Sequence, residues 1–111
     1  MRQSHTAVIA RNELWTGAVE TEPYEVAWAT EATFFFRALA AVDIPEVVTL
    51  KVQISPDGLY WCDHGSELRL SGDPQRPSFI ALRDFAGWLR VAGELPEGVS
   101  VKALLYLMLK E

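Results

Sequence analysis

The sequence predicts an all-β domain, and three observations carry that expectation. Turn signals recur along the chain, in "EPYE", "DIPE", "SPDG", "SGDPQRP" and "LPEG", and cut it into short segments at the spacing of a sandwich or barrel. The stretch "VVTLKVQIS", residues 47–55, alternates almost completely. Val48, Leu50, Val52 and Ile54 fall on one side, and Val47, Thr49, Lys51, Gln53 and Ser55 on the other, the period-2 pattern of a half-buried strand. Third, "VSVKALLYLMLKE" at the end of the chain reads best as a strand. Val99, Val101, Ala103, Leu105, Leu107 and Leu109 then share a face with no polar break. A helix over the same residues strands Leu107 outside its apolar side.

At 111 residues the expected organisation is one domain, residues 1–111, and a chain of this size buries about 65% of its unfolded surface without staples. Half of the residues are hydrophobic, which is a globular composition far from the signature of disorder. The net charge is −5 and no run of Lys or Arg occurs, so nucleic acid is not an expected partner. No apolar run approaches the ~20 residues of a membrane span, and no membrane partner is expected. The opening "MRQSHTAVIARNELW" lacks the long apolar stretch of a signal peptide, so the expected location is cytoplasmic or within a protein assembly. A single cysteine, Cys62, allows no internal disulfide and fits a reducing compartment.

In chain order, "TAVIAR" near the start fits a short strand. "EATFFFRALAA", residues 31–41, places Phe34 and Phe36 on one face and Phe35 on the other with Thr33, Arg37 and Leu39. Its Ala, Leu and Arg also permit a helix by propensity. After residues 47–55, "SPDG" forms a tight turn in which Pro56 presets φ and Gly58 takes the unusual angles near its end. "LYWCD" returns as the hairpin partner, and "SELRLS" at 66–71 fits another strand. "SFIALRDFAGWLRVAG" is drawn equally well as helix or strand, and the even turn spacing favours strand. The expected architecture is an antiparallel β-sandwich of jelly-roll type with about eight strands.

Two strands raise the same question. Phe35 sits on the face opposite Phe34 and Phe36, and the terminal strand carries Leu104, Tyr106 and Met108 opposite its apolar face. A strand with a closed inner face and a partly apolar outer one needs a second cover. That cover is either another part of the chain, such as the 12–30 segment with Trp15, Tyr24 and Trp28, or another subunit. Phe35, Leu104, Tyr106 and Met108 are therefore the candidate interface residues.

Catalytic signatures are absent. "WCDHG", residues 61–65, gathers a thiol, a carboxylate and an imidazole. Cys62 and His64 make at most half of a zinc site, which needs four ligands, and no metal is expected. A Cys62–His64 nucleophile pair needs hydrogen-bond contact and an orienting third group, and two positions along a strand separate them by about 6–7 Å. The reading of least consequence is a hairpin end with Cys62 buried as a small hydrophobe. Glu20, Glu22, Glu25 and Glu31 form an acidic segment around Pro23, better explained as a solvated loop than as a glycosidase carboxylate pair. Neither GxGxxG nor GxxxxGK occurs. No catalytic residue and no cofactor is expected. Among the tryptophans, Trp61 and Trp88 look like core positions, whereas exposed Trp15 or Trp28 would stack on a sugar ring. A glycan is thus the alternative partner.

The order of these motifs carries a resemblance. A strand with stacked aromatics and "RAL" precedes "VQISPDGLYWCDHG". Then come "FAGWLRVAG" and "VSVKALLYLMLK". Over roughly residues 30–110 this is similar to small β-sandwich proteins found among tailed-phage virion components and related uncharacterised bacterial proteins. The layout also resembles discoidin-like jelly rolls, which bind sugars or lipids. "SPDGLYW" resembles the Asp-box turn but is one residue shorter and is not repeated. The virion-type resemblance implies a structural subunit that assembles on itself or on a larger shell, with no catalytic residue. Members of that group often carry small polar residues where this chain has Phe35 and Leu104, a departure that strengthens self-association. On that reading "SGDPQRP" and "ELPEG" are candidate docking loops.

Overall fold

The structure, a computed structural model, describes residues 2–111. It is all-β. The strands are β1 (Ser4–Thr16), β2 (Ala18–Glu20), β3 (Tyr24–Glu25), β4 (Glu31–Ala38), β5 (Thr49–Ser55), β6 (Cys62–Arg69), β7 (Ser78–Leu82), β8 (Trp88–Glu94) and β9 (Ser100–Lys110). They form two sheets that pack face to face. The first has the order β1-β9-β4-β7, the second β2-β8-β5-β6 with β3 also paired to β8. Every neighbouring pair is antiparallel.

The expected count of about eight strands is met at the level of strand positions. β2 and β3 pair with successive stretches of the same side of β8, and Glu22–Pro23 interrupts them because proline has no N–H to give the ladder. Thr21 keeps the seam intact. Its N–H donates to the Val91 carbonyl and its hydroxyl oxygen accepts the Val91 N–H, both at 3.0 Å. β1 and β2 are almost one strand, which turns from the first sheet into the second at Gly17. That residue sits at φ +58°, a region open to glycine at little cost.

The core lies between the sheets, and strand alternation builds it. On β4, Phe34 and Phe36 point inward and are fully buried, while Phe35 points out. β9 sends Val101, Ala103, Leu105, Leu107 and Leu109 inward without a break. Leu50 and Val52 of β5 and Leu89 and Val91 of β8 meet them from the other sheet. Each large side chain fully withdrawn from water contributes about 1.5–3 kcal/mol. The residues with mixed propensity, 31–41, 78–93 and 99–110, are all strand or strand-loop-strand. A long helix there would leave the opposite sheet's apolar face without a partner, and tertiary burial outweighs propensity.

Several placements differ from the sequence expectation. Trp15 is buried, with its ring stacked 5.7 Å from that of Phe36. Trp61 and Trp88 are only partly buried and lie on the outward side of the second sheet, so neither is a core residue. Cys62 is exposed, because β6 is an edge strand of its sheet. Residues 12–30 run along one sheet edge and into the other sheet, and do not lie over Phe35.

Candidate interaction face

The register of the first sheet brings the outward side chains of four strands into one row. Val8 of β1 is opposite Tyr106 of β9, Tyr106 is opposite Phe35 of β4, and Phe35 is opposite Phe79 of β7. Directly paired residues of antiparallel strands project from the same face, so the row is continuous across the sheet. The next row on one side is Thr6, Met108, Thr33 and Ala81, and on the other Arg11, Leu104 and Arg37. The four residues singled out from the sequence, Phe35, Leu104, Tyr106 and Met108, therefore occupy one surface. Phe35, Leu104 and Tyr106 are half-buried by their neighbours in the layer. Val8 and Met108 are each 39% exposed and Phe79 is 64% exposed.

Sequence reasoning missed Val8 and Phe79. Phe79 lay in a segment that fitted a helix equally well, so its face could not be assigned. Val8 stands just before two bulges in β1, between Val8 and Ala10 and between Arg11 and Glu13, which break the alternation that would have marked its face in the sequence. Asn12, at φ +54°, accommodates the second bulge in a region where asparagine is common.

The charges on this face are mostly positive and lie around its rim. Arg11, Arg37, Lys102 and Lys110 project outward, and Arg83 follows β7. Glu31 is the carboxylate among them and is held by Arg83 at 2.7 Å. The Arg37 Nε donates to the Pro74 carbonyl at 2.9 Å, which ties the β6–β7 loop to the rim. This cationic rim stands out on a chain of net charge −5.

The outer face of the second sheet is built differently. Arg90 of β8 donates to Glu20 at 2.7 Å and to the Gln53 side-chain oxygen at 2.8 Å, and its guanidinium lies 4.3 Å from the centre of the Trp61 ring. Gln53 in turn donates to Asp63 at 3.0 Å, and Lys51 stands 3.6 Å from the same carboxylate. The Gln53 hydrogen bond first, and the charge of Lys51 after it, hold the Asp63 carboxyl below its usual range. Polar groups here satisfy one another, the Trp61 ring is capped by a cation, and the Trp88 ring packs against Gly58 of the β5–β6 turn.

The remaining candidates are engaged elsewhere. His64 accepts or donates at Nδ1 with Ser66, and its Nε2 meets the carbonyls of Arg83 and Asp84 at 3.2 and 3.1 Å. It clips β6 to the β7–β8 loop. Among the described residues, no three His, Cys, Asp or Glu side chains come together in a metal-binding group. Glu20 and Glu31 are paired with different arginines, and Glu25 accepts the Ala27 N–H. Trp28 is 37% exposed and shares a shallow depression with Tyr24, His5 and Arg2. The "SGDPQRP" loop, with residues 41–47, walls a second depression of about 840 Å³ that contains Val42, Ile44, Arg69 and Arg76. No helix is long and apolar enough to cross a membrane among the described residues. No known protein family matches the chain, and no curated protein matches it.

Proposed function

We propose that this chain is a non-enzymatic assembly protein that uses the outer face of the β1-β9-β4-β7 sheet to contact protein, in a homo-oligomer or on a larger protein shell. One observation carries the reading: the Val8–Tyr106–Phe35–Phe79 row, with Leu104 and Met108 beside it, is a contiguous apolar surface inside a polar rim. Contiguous patches of this kind on globular proteins mark contact sites, and aromatic centres with polar rims are the usual anatomy of an interface. The cross-strand pairs also stabilise the sheet by about 0.2–1 kcal/mol each. That is a smaller gain than burial under a partner would bring.

The strand order supports assigning the sandwich to the jelly-roll type. With β2 and β3 taken as one interrupted strand, eight positions divide into two sheets of four, and the chain passes from sheet to sheet at most of its connections. The similarity of the turn and strand motifs to virion sandwich proteins supports the same structural role.

Light scattering on the purified chain over a concentration series tests the reading. Association that is lost on Phe79→Glu, with the far-ultraviolet spectrum unchanged, is the expected result. A chain that remains a monomer at every concentration, alone and in lysate, removes it. A carbohydrate-binding reading retains one specific observation, the Trp28–Tyr24–His5 depression with Arg2 beside it. Trp15 offers a ligand no face. Quenching of Trp28 fluorescence by an oligosaccharide, absent in Trp28→Ala, is the result that reading requires.

A further inference from the structure

We infer that the β5–β6 hairpin tip of one copy docks on the outer face of the β1-β9-β4-β7 sheet of a second copy, head to tail. This rests on the assembly reading above and specifies which surfaces meet.

The tip carries the two most exposed large apolar side chains among the described residues. Leu59 and Tyr60 are 75% and 79% exposed, although the turn that carries them is tightly organised. The Ser55 hydroxyl oxygen accepts the N–H groups of Asp57 and Gly58 at 3.2 and 2.8 Å. The Asp57 carboxylate accepts those of Leu59 and Tyr60 at 2.8 and 3.1 Å. Gly58, at φ +79°, lets the backbone close over the Trp88 ring. A disordered tip would lose entropy on docking, whereas this one is already fixed in shape. Two large apolar side chains on a fixed turn form a knob.

Charge decides the pairing. The knob carries Asp57 in its turn, whereas Asp63, on the strand that follows, is already paired with Lys51. The Leu59 and Tyr60 N–H groups, and then the Ser55 hydroxyl, hold the Asp57 carboxyl below its usual range, so it stays ionised at neutral pH. The receiving face has Arg11, Arg37, Lys102 and Lys110 around its apolar row. Two such faces brought together about a twofold axis would set cations against cations. Knob against face sets the Asp57 carboxylate against cations and apolar centre against apolar centre. Within one chain the tip belongs to one sheet and the receiving surface is the outer side of the other, so the contact forms between copies. A contact between two different surfaces of identical chains propagates into a ring or a filament.

Two variants test this, each altered only at exposed positions. The tip variant is Leu59→Ser with Tyr60→Ser. The face variant is Phe79→Glu with Lys102→Glu. Light scattering should show each variant alone as a single chain, and an equimolar mixture as a complex of two chains that grows no further, because each partner retains one working surface. The wild type should form larger species whose size falls as salt is raised. A tip variant that still self-associates like the wild type overturns the head-to-tail contact and leaves the assembly reading standing. Single-chain variants that fail to combine when mixed overturn it as well. A face variant that associates normally overturns both, and a wild type that stays a single chain throughout overturns the head-to-tail contact.

Discussion

The two sheets of this sandwich share a core but present opposite outer faces. On the second sheet, Glu20, Arg90, Gln53, Asp63 and Lys51 form a continuous polar chain, and Trp61 lies under a guanidinium. On the first, the centre is Tyr106, Phe35 and Phe79, and the charges stand at the margin. Both faces are made from the same alternating strands, so the fold does not require the difference. A face whose polar groups answer one another is finished in water. A face with an aromatic row across its strands has the composition of a contact surface.

The comparison can be tested by substitution, beginning with the largest effect. Phe36 and Phe35 are neighbours on β4 that point to opposite sides of it. Phe36→Ala should cost about 3–5 kcal/mol, the usual cost of emptying a fully buried aromatic site, and Phe35→Ala no more than about 1–2 kcal/mol from its lost cross-strand pairs. Urea unfolding of the two variants gives both values. Equal losses would mean that Phe35 is as enclosed as Phe36 and that the outer face is not open.

Arg90→Ala comes next. The Arg90 side chain is only 14% exposed and serves Glu20, Gln53 and Trp61 at once. Its loss should cost about 1.5–3 kcal/mol, the range for hydrogen bonds to charged groups, with no change in solution mass. Phe79→Ser on the first sheet should do the reverse. Its stability should stay within about 0.5 kcal/mol of wild type, as at other exposed positions, while self-association falls. If Phe79→Ser unfolds the protein and Arg90→Ala disperses the oligomer, the roles of the faces have been assigned the wrong way round.

The smallest effect is one of pH. Asp63 titrates below its ordinary value of 3.8 in the folded chain. A carboxyl with a depressed folded value adds stability that is present above the unfolded value and is lost as pH falls through the folded one. The second sheet's network should therefore weaken only below about pH 4, and Asp63→Asn should flatten that acid limb. Chemical denaturation at pH 3 and pH 6 reads the difference. An identical pH dependence in the variant would show that Asp63 makes no net contribution in the folded state.

Much of this architecture was legible in the residues. The alternation at 47–55, the spaced turns and the unbroken inward series from Val101 to Leu109 led to the strands that the structure contains. The candidate face was legible in part. Phe35, Leu104, Tyr106 and Met108 could be identified because each shared a strand with a complete inward face, which left their side unexplained. Trp15 misled because an aromatic near the start of a chain carries no mark of its facing. The two β1 bulges cancel in parity, so Trp15 stays on the inward side with Ala7, and the pairing of β1 with β9 is what aims that side at the core. Cys62 misled for a related reason. Small thiols are usually buried, but an edge strand has one flank in water, and edge position is a property of pairing order.

The sequence by itself determined that the chain is a sandwich, that Phe34 and Phe36 face its core and that Phe35 does not, because side-chain direction along a strand follows from a period of two. Tertiary structure decided which strands lie side by side. Val8, Tyr106, Phe35 and Phe79 are far apart in the chain, and register alone aligns them. The same pairing drew Arg90, Gln53 and Asp63 into contact on the other sheet. Hydrogen bonding between strands sets these neighbours, and a linear pattern contains the period of each strand without the identity of its partner.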